Sequence, residues 1–184
     1  MKISKLLTVF CILFFFASCK EEVLPKPKAQ LRLEYSPGSS QLVQTQAYEF
    51  EYNGLATIKD QKNASLTLEY PALKGAVYLT YKPVEDNLKS LLNDAQKLSY
   101  EHVVKADNIL EQQFVNADAK VYGMFYEVKG NAASQAQFYV TDSTEHFLTG
   151  SLYFYAKPNY DSIYPAAVYI QNDIRRILET LHWK

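Results

Sequence analysis

Cysteine, glycine and any excess of one charge are all scarce in this chain, and each shortage removes a class of function. Only two of the 184 residues are cysteines, Cys11 and Cys19. Cys11 lies in an apolar N-terminal run, so no pair remains for a disulfide framework or a cysteine-based zinc site. The six glycines include no Gly-x-Gly-x-x-Gly array to cradle a phosphate. His102, His146 and His182 are the three histidines, and none has ligand spacing to another, so no metal site is expected. Formal charge is −1 with the signs mixed, which lacks the basic patch that nucleic acid needs. The acidic residues are scattered, and no glycosidase carboxylate pair stands out. Long apolar runs are missing too. The uncharged stretch from Leu6 to Ala17 is twelve residues, against the roughly 20 that a spanning helix needs.

That short run has another meaning. Lys2 and Lys5 precede it, and small residues end it directly before a cysteine, the order expected of a secretory signal over residues 1–18. Phe16-Ala17-Ser18-Cys19 resembles the lipobox of bacterial lipoproteins, with Phe16 a bulky choice at its first position. The resemblance implies that Cys19 becomes the lipidated N-terminus. Two or more acyl chains, at about 0.8 kcal/mol per buried methylene, would hold the protein stably in a membrane. Lys20 stands where lipoproteins retained in the inner membrane commonly carry Asp, so the outer membrane is expected. Lys20-Glu21-Glu22 resembles the acidic surface-export tag of Bacteroidetes lipoproteins, which leaves both membrane faces open. Residues 19–29, with Pro25 and Pro27 between lysines, read as a stiff polar tether. Residues 30–184 are long enough for one domain, whose stability must come from its core alone.

The surplus is aromatic: fifteen Tyr and ten Phe. Tyrosine suits half-buried strands, with its ring inside and its hydroxyl outside. A tyrosine-rich surface for a glycan or another ligand is the alternative. Leu31 to Tyr35 alternates and reads either as a first strand or as an extension of the tether, before Ser36 to Ser40 breaks the pattern. Tyr48 to Tyr52 alternates strictly, and Asn53-Gly54 predicts a hairpin returning over Leu55 to Lys59. Ser65 to Tyr70 and Ala76 to Tyr81 are the next strands. Pro83 is read as opening a helix that reaches about Lys105, with Leu88, Leu91, Leu92, Ala95 and Leu98 inward. Ile109 to Val115 fits either period and is read as a strand. Val121–Val128 and Ala133–Thr141 flank Gly130-Asn131, a turn of type II′ composition. Phe147–Tyr155 is a further strand. A last helix has Asn159, Asp161 and Ser162 as candidate caps and Pro165 in its first turn. Its apolar stripe is Ile163, Ala167, Ile170, Ile174, Ile177 and Leu181, and Arg175 and Glu179 pair on its wet side. The whole predicts an α+β fold, an antiparallel sheet packed with two main helices.

Asp142, Ser143 and His146 invite a hydrolase reading. A turn in which Asp and Ser bond their own backbone explains them more simply, and no Gly-x-Ser-x-Gly elbow is present.

Longer blocks carry a family resemblance. Val121-Tyr122-Gly123-Met124-Phe125-Tyr126-Glu127-Val128-Lys129-Gly130-Asn131-Ala132-Ala133-Ser134, then Gln137-Phe138-Tyr139 and Thr141-Asp142-Ser143-Thr144, resemble the gliding-motility lipoprotein GldD family. So do His146-Phe147, Pro158-Asn159-Tyr160-Asp161-Ser162 and the ending Glu179-Thr180-Leu181-His182-Trp183-Lys184. Upstream, Leu68-Glu69-Tyr70-Pro71 and Leu79-Thr80-Tyr81-Lys82-Pro83 fit, while Asn53 stands where the family often has Pro. The resemblance implies a non-catalytic envelope lipoprotein of the Bacteroidetes gliding machinery, linked to type IX secretion, with envelope proteins as partners and no cofactor. The order of elements is also similar to the PsbP and Mog1 fold. Gly130, Asn131, Asp142, Ser143, His146, Asn159 and Asp161, all in turns, are the candidate interaction surface.

Overall fold

The computed structural model describes residues 38–101, 105–155 and 159–184. Cys19, the tether, the candidate strand Leu31–Tyr35 and His102 lie outside them. Among the described residues, ten strands and two α-helices follow in order: β1 (Ser40–Gln44), β2 (Tyr48–Asn53), β3 (Thr57–Lys62), β4 (Ser65–Tyr70), β5 (Gly75–Pro83), α1 (Leu88–Tyr100), β6 (Ala106–Asn116), β7 (Val121–Gly130), β8 (Ser134–Thr141), β9 (His146–Phe154), α2 (Tyr160–Thr180) and β10 (His182–Trp183). The fold is α+β, as the alternating faces predict.

β3 to β9 form one antiparallel sheet in the order β3-β4-β5-β9-β8-β7-β6. The chain lays down three strands, crosses through α1 to the far edge, and returns to close β9 against β5. Strand periodicity gives this sheet two apolar faces. On one, Leu66, Leu68, Val77, Leu79, Phe138, Val140, Leu148 and Leu152 pack with the buried stripe of α2. Ala167, Ile170, Ile174, Ile177 and Leu181 of the expected stripe are fully buried, while Ile163 is only half-buried. On the other face, Leu91 and Ala95 of α1 meet Tyr126, Tyr139 and Phe147; Leu98, expected inward, is exposed. Gly150 faces Phe138 across β8–β9, and a Cβ there would fall 2.1 Å from the Phe138 ring. The glycine thus makes room for a core aromatic.

A small sheet, β1-β2-β10, shares the α2 side of the core. It corrects the first hairpin. β2 does not pair with β3; its neighbours are β1 and the late strand β10. Gly54 is not at positive φ, so the turn is not the type I′ that hairpins favour. Instead the buried Asn53 amide donates to the Tyr169 hydroxyl (2.7 Å) and to Asp173 (2.8 Å) on α2, and its carbonyl accepts from the Leu55 N–H (3.0 Å). A side chain tied to a helix has turned the chain from one sheet to the other. Burial, the larger influence, raises the pKa of Asp173 against the opposing hydrogen bond from Asn53.

Other local signals resolve differently as well. Pro83 ends β5, opposite His146, where a missing N–H matters least. The helix starts at Leu88 and stops at Tyr100. Pro165 falls in the second turn of α2, and Asn159 makes no side-chain cap. The capping oxygen comes from Asn131, which accepts the Tyr160 N–H at 2.9 Å. Arg175 leaves the solvent side to pair with Glu127 of β7 and to sit over the Phe125 ring, 4.9 Å from its centroid.

Candidate functional site

The seven candidate residues are not one surface. Successive turns of a meander fall at opposite ends of the sheet. Gly130, Asn131, Asn159 and Asp161 therefore gather at one end of β8, and Asp142, Ser143 and His146 at the other. Eight strand residues separate the groups, a span of about 25 Å.

In the first group, Gly130 and Asn131 hold local structure. Gly130 has φ 103°, and a Cβ would lie 2.6 Å from the Asp107 backbone nitrogen. Its glycine is required by the close approach of β6, where Asp107 bulges out of register. The β7–β8 link is residues 131–133, so Gly130 is not the first residue of a two-residue turn. Asn131 caps α2, as above. Asn159 and Asp161 are exposed at the start of that helix.

The second group is a rigid turn. Oδ1 of Asp142 accepts the N–H groups of Thr144 (3.0 Å), Glu145 (2.9 Å) and His146 (2.8 Å), and Oδ2 accepts the Thr144 hydroxyl (2.8 Å). Thr141 closes the base: its hydroxyl donates to the His146 carbonyl and accepts the Ser143 N–H. Ser143 is held at φ 70°. Partial burial alone would raise the Asp142 pKa, but the hydrogen bonds from His146, Glu145 and Thr144 outweigh it and bring it to about 2. A carboxylate depressed in the folded state stabilises above its unfolded value and loses that contribution as pH falls through the folded one. The wild-type turn is accordingly expected to weaken between about pH 4 and pH 2. In urea titrations across that range, the stability advantage of wild type over Asp142→Asn should shrink steadily. A constant difference would contradict the assignment.

His146 is not poised for a neighbouring serine. Its Nδ1 bonds the Tyr81 hydroxyl at 2.9 Å, and its buried ring stacks on Trp183 with centroids 5.1 Å apart and planes 7° from parallel. Tyr48 completes a closed set of four rings, 6.0 Å from Tyr81 and 6.4 Å from Trp183. Trp183 Nε1–H donates to the Lys120 carbonyl (3.1 Å). The turn rises between two open clefts. One, of about 390 Å³, is lined by Asp118, Lys120, Glu145, His146, His182 and Trp183. The other, of about 570 Å³, is lined by Glu85, Asp86, Lys89, Ser143 and Thr144 among others. Thr144 borders both. Reading turn residues alone missed Trp183, Lys120 and Lys89, which arrive from distant segments. Among the described residues, no group of three His, Cys, Asp or Glu could hold a metal ion, and no helix is long and apolar enough to cross a membrane.

Fold and turn together define an α+β domain that presents a stiff, charged turn between open clefts. The family model described as gliding motility lipoprotein GldD matches residues 20–183, and the chain belongs to that family of gliding motility lipoproteins. No curated protein matched the sequence.

Proposed function

We propose that this protein is a non-catalytic component of the gliding machinery, linked to type IX secretion, that works by contact with other envelope proteins. In this reading Cys19 carries the acyl chains and residues 19–29 form the tether. The outer membrane holds the protein, and the Asp142–His146 turn meets the partner. The observation that carries the reading is the turn itself. One carboxylate collects four hydrogen bonds, yet Ser143, Thr144 and Glu145 stay exposed. Rigid, solvated polar side chains are suited to recognition, because little ordering entropy is lost on binding. Catalysis gains no comparable support, since the His146 Nδ1 and ring face are occupied by Tyr81 and Trp183.

A glycan platform would need parallel, exposed rings along a groove. The nearly parallel pairs Tyr48–Phe50 and Tyr139–Phe147 are buried, the His146–Trp183 stack shows only part of Trp183 to its cleft because His146 is buried, and the exposed Tyr78 meets Tyr153 edge to face at 70°. Tyrosine here mainly builds the sheets. The test is complementation. Glu145→Arg with Lys89→Glu reverses a charge in each cleft on exposed side chains and should leave the fold and abundance unchanged. In a deletion strain this variant is expected to lose most colony spreading. Spreading equal to wild type would remove the turn from the proposal, and a deletion strain that glides and secretes normally would remove the proposal itself.

A further inference from the structure

Among the described residues, the large sheet has one guarded edge and one unguarded edge. β3 carries Lys59 and Lys62 with a register break between them, features that deter another strand. β6 is bonded to β7 along one side, and among the described residues no strand lies along the other. From Asn108 to Asn116 it has no Lys, Arg or Pro and a single charge, Glu111. Leu110 is 42% exposed and Val115 58%.

This edge reads alike in both directions: Asn108-Ile109-Leu110-Glu111-Gln112-Gln113-Phe114-Val115-Asn116. About Gln112, Asn108 mirrors Asn116, Ile109 mirrors Val115, Leu110 mirrors Phe114, and Glu111 mirrors Gln113. Two identical antiparallel strands related by a twofold axis normal to the sheet can pair only residues of the same parity. Facing residues share a side of the sheet and the direction of their backbone N–H and C=O groups. An axis through Gln112 satisfies this. It sets Ile109 against Val115 on the α1 side and Leu110 against Phe114 on the α2 side, with polar groups opposite polar groups. Moving the axis to Glu111 would oppose two carboxylates and place Leu110 against Gln112. Moving it to Gln113 would place Glu111 against Val115 and Gln112 against Phe114. Only one nearby register matches like with like.

We propose that β6 is a homodimer interface, pairing with β6 of a second copy about Gln112 to continue the sheet across both molecules. Full-length chains carrying Gln112→Cys, oxidised in cells, test it. Facing Cα atoms of an antiparallel pair lie about 4.5–5.5 Å apart, within the reach of a disulfide, so a covalent dimer is expected. Leu110→Cys alone should give none, because its counterpart sits four residues along, about 13 Å away. Adding Phe114→Cys to it should restore the dimer and tests the same register without altering Gln112. Val115→Lys in the Gln112→Cys background should abolish the crosslink while leaving the melting curve of the monomer in place. The proposal is overturned if neither Gln112→Cys nor the Leu110→Cys/Phe114→Cys pair gives a dimer. Equal crosslinking from Leu110→Cys alone, or a mixed disulfide with a different protein, would overturn it too.

Discussion

Cells carrying Cys19→Ala are expected to contain no mature-sized protein in the membrane fraction. In the proposed account, anchoring depends on one sulfur. The apolar run before it is too short to span the bilayer, and no described helix is able to cross. Removing the thiol removes the acylation site, and with it the roughly 0.8 kcal/mol contributed by each buried methylene of two or more chains. The expected result is near-complete loss of fatty-acid labelling, with an uncleaved or soluble precursor in its place. Membrane-bound variant of mature size would contradict the anchor. Gliding should fail with it, because an untethered domain loses the local concentration that a shared membrane supplies.

Tyr48→Ala is expected to be the most damaging single change within the described fold. Tyr48 is fully buried where β2 of the small sheet meets β5 of the large one and β10. Its ring contacts Phe50, Tyr81 and Trp183, and its hydroxyl donates to the Ala64 carbonyl. Truncating a buried aromatic costs about 3–5 kcal/mol, and here a buried carbonyl also loses its partner. Tyr48→Phe keeps the ring and gives up only the hydrogen bond, at about 1–2 kcal/mol. Urea unfolding should therefore order the proteins as wild type, Tyr48→Phe, then Tyr48→Ala. The last should also free Trp183, seen as a red shift of the emission from the sole tryptophan. Equal midpoints for the two variants would mean that the ring contacts contribute little.

Elements built from local pattern were legible in the sequence. β4 spans the same residues as its alternation. β6 is a strand although its period fits either element, and the α2 stripe from Ala167 to Ile177 is buried, with Leu181 buried just beyond the helix end. Features fixed by distant segments were not legible. Asn53-Gly54 has hairpin chemistry, but the β2 edge is taken by β10, more than a hundred residues later. Pro83 looks the same at the end of a strand as at the start of a helix until β9 is placed beside it. Arg175 could pair with Glu179 on its own helix, yet packing α2 on the sheet brings Glu127 and the Phe125 ring to it. β1 escaped notice because Ser40 to Gln44 has little apolar content.

The candidate site follows the same division. The Asx-type turn at Asp142 was readable because its partners lie within four residues. The two clefts beside it were not, since α1 supplies Lys89, the β6–β7 turn supplies Lys120 and the last residues supply Trp183. The separation of the seven turn residues into two groups has a topological cause. Gly130 and Asn131 close one end of the meander, and Asp142 to His146 close the other.

Contact through the Asp142–His146 turn is the centre of the account, and photocrosslinking in living cells measures it most directly. A crosslinking amino acid at Glu145 should yield one discrete adduct with a protein of the gliding or secretion apparatus. The same probe at Lys97, exposed on α1, should not. No adduct from Glu145, or the same adduct from both positions, would contradict it.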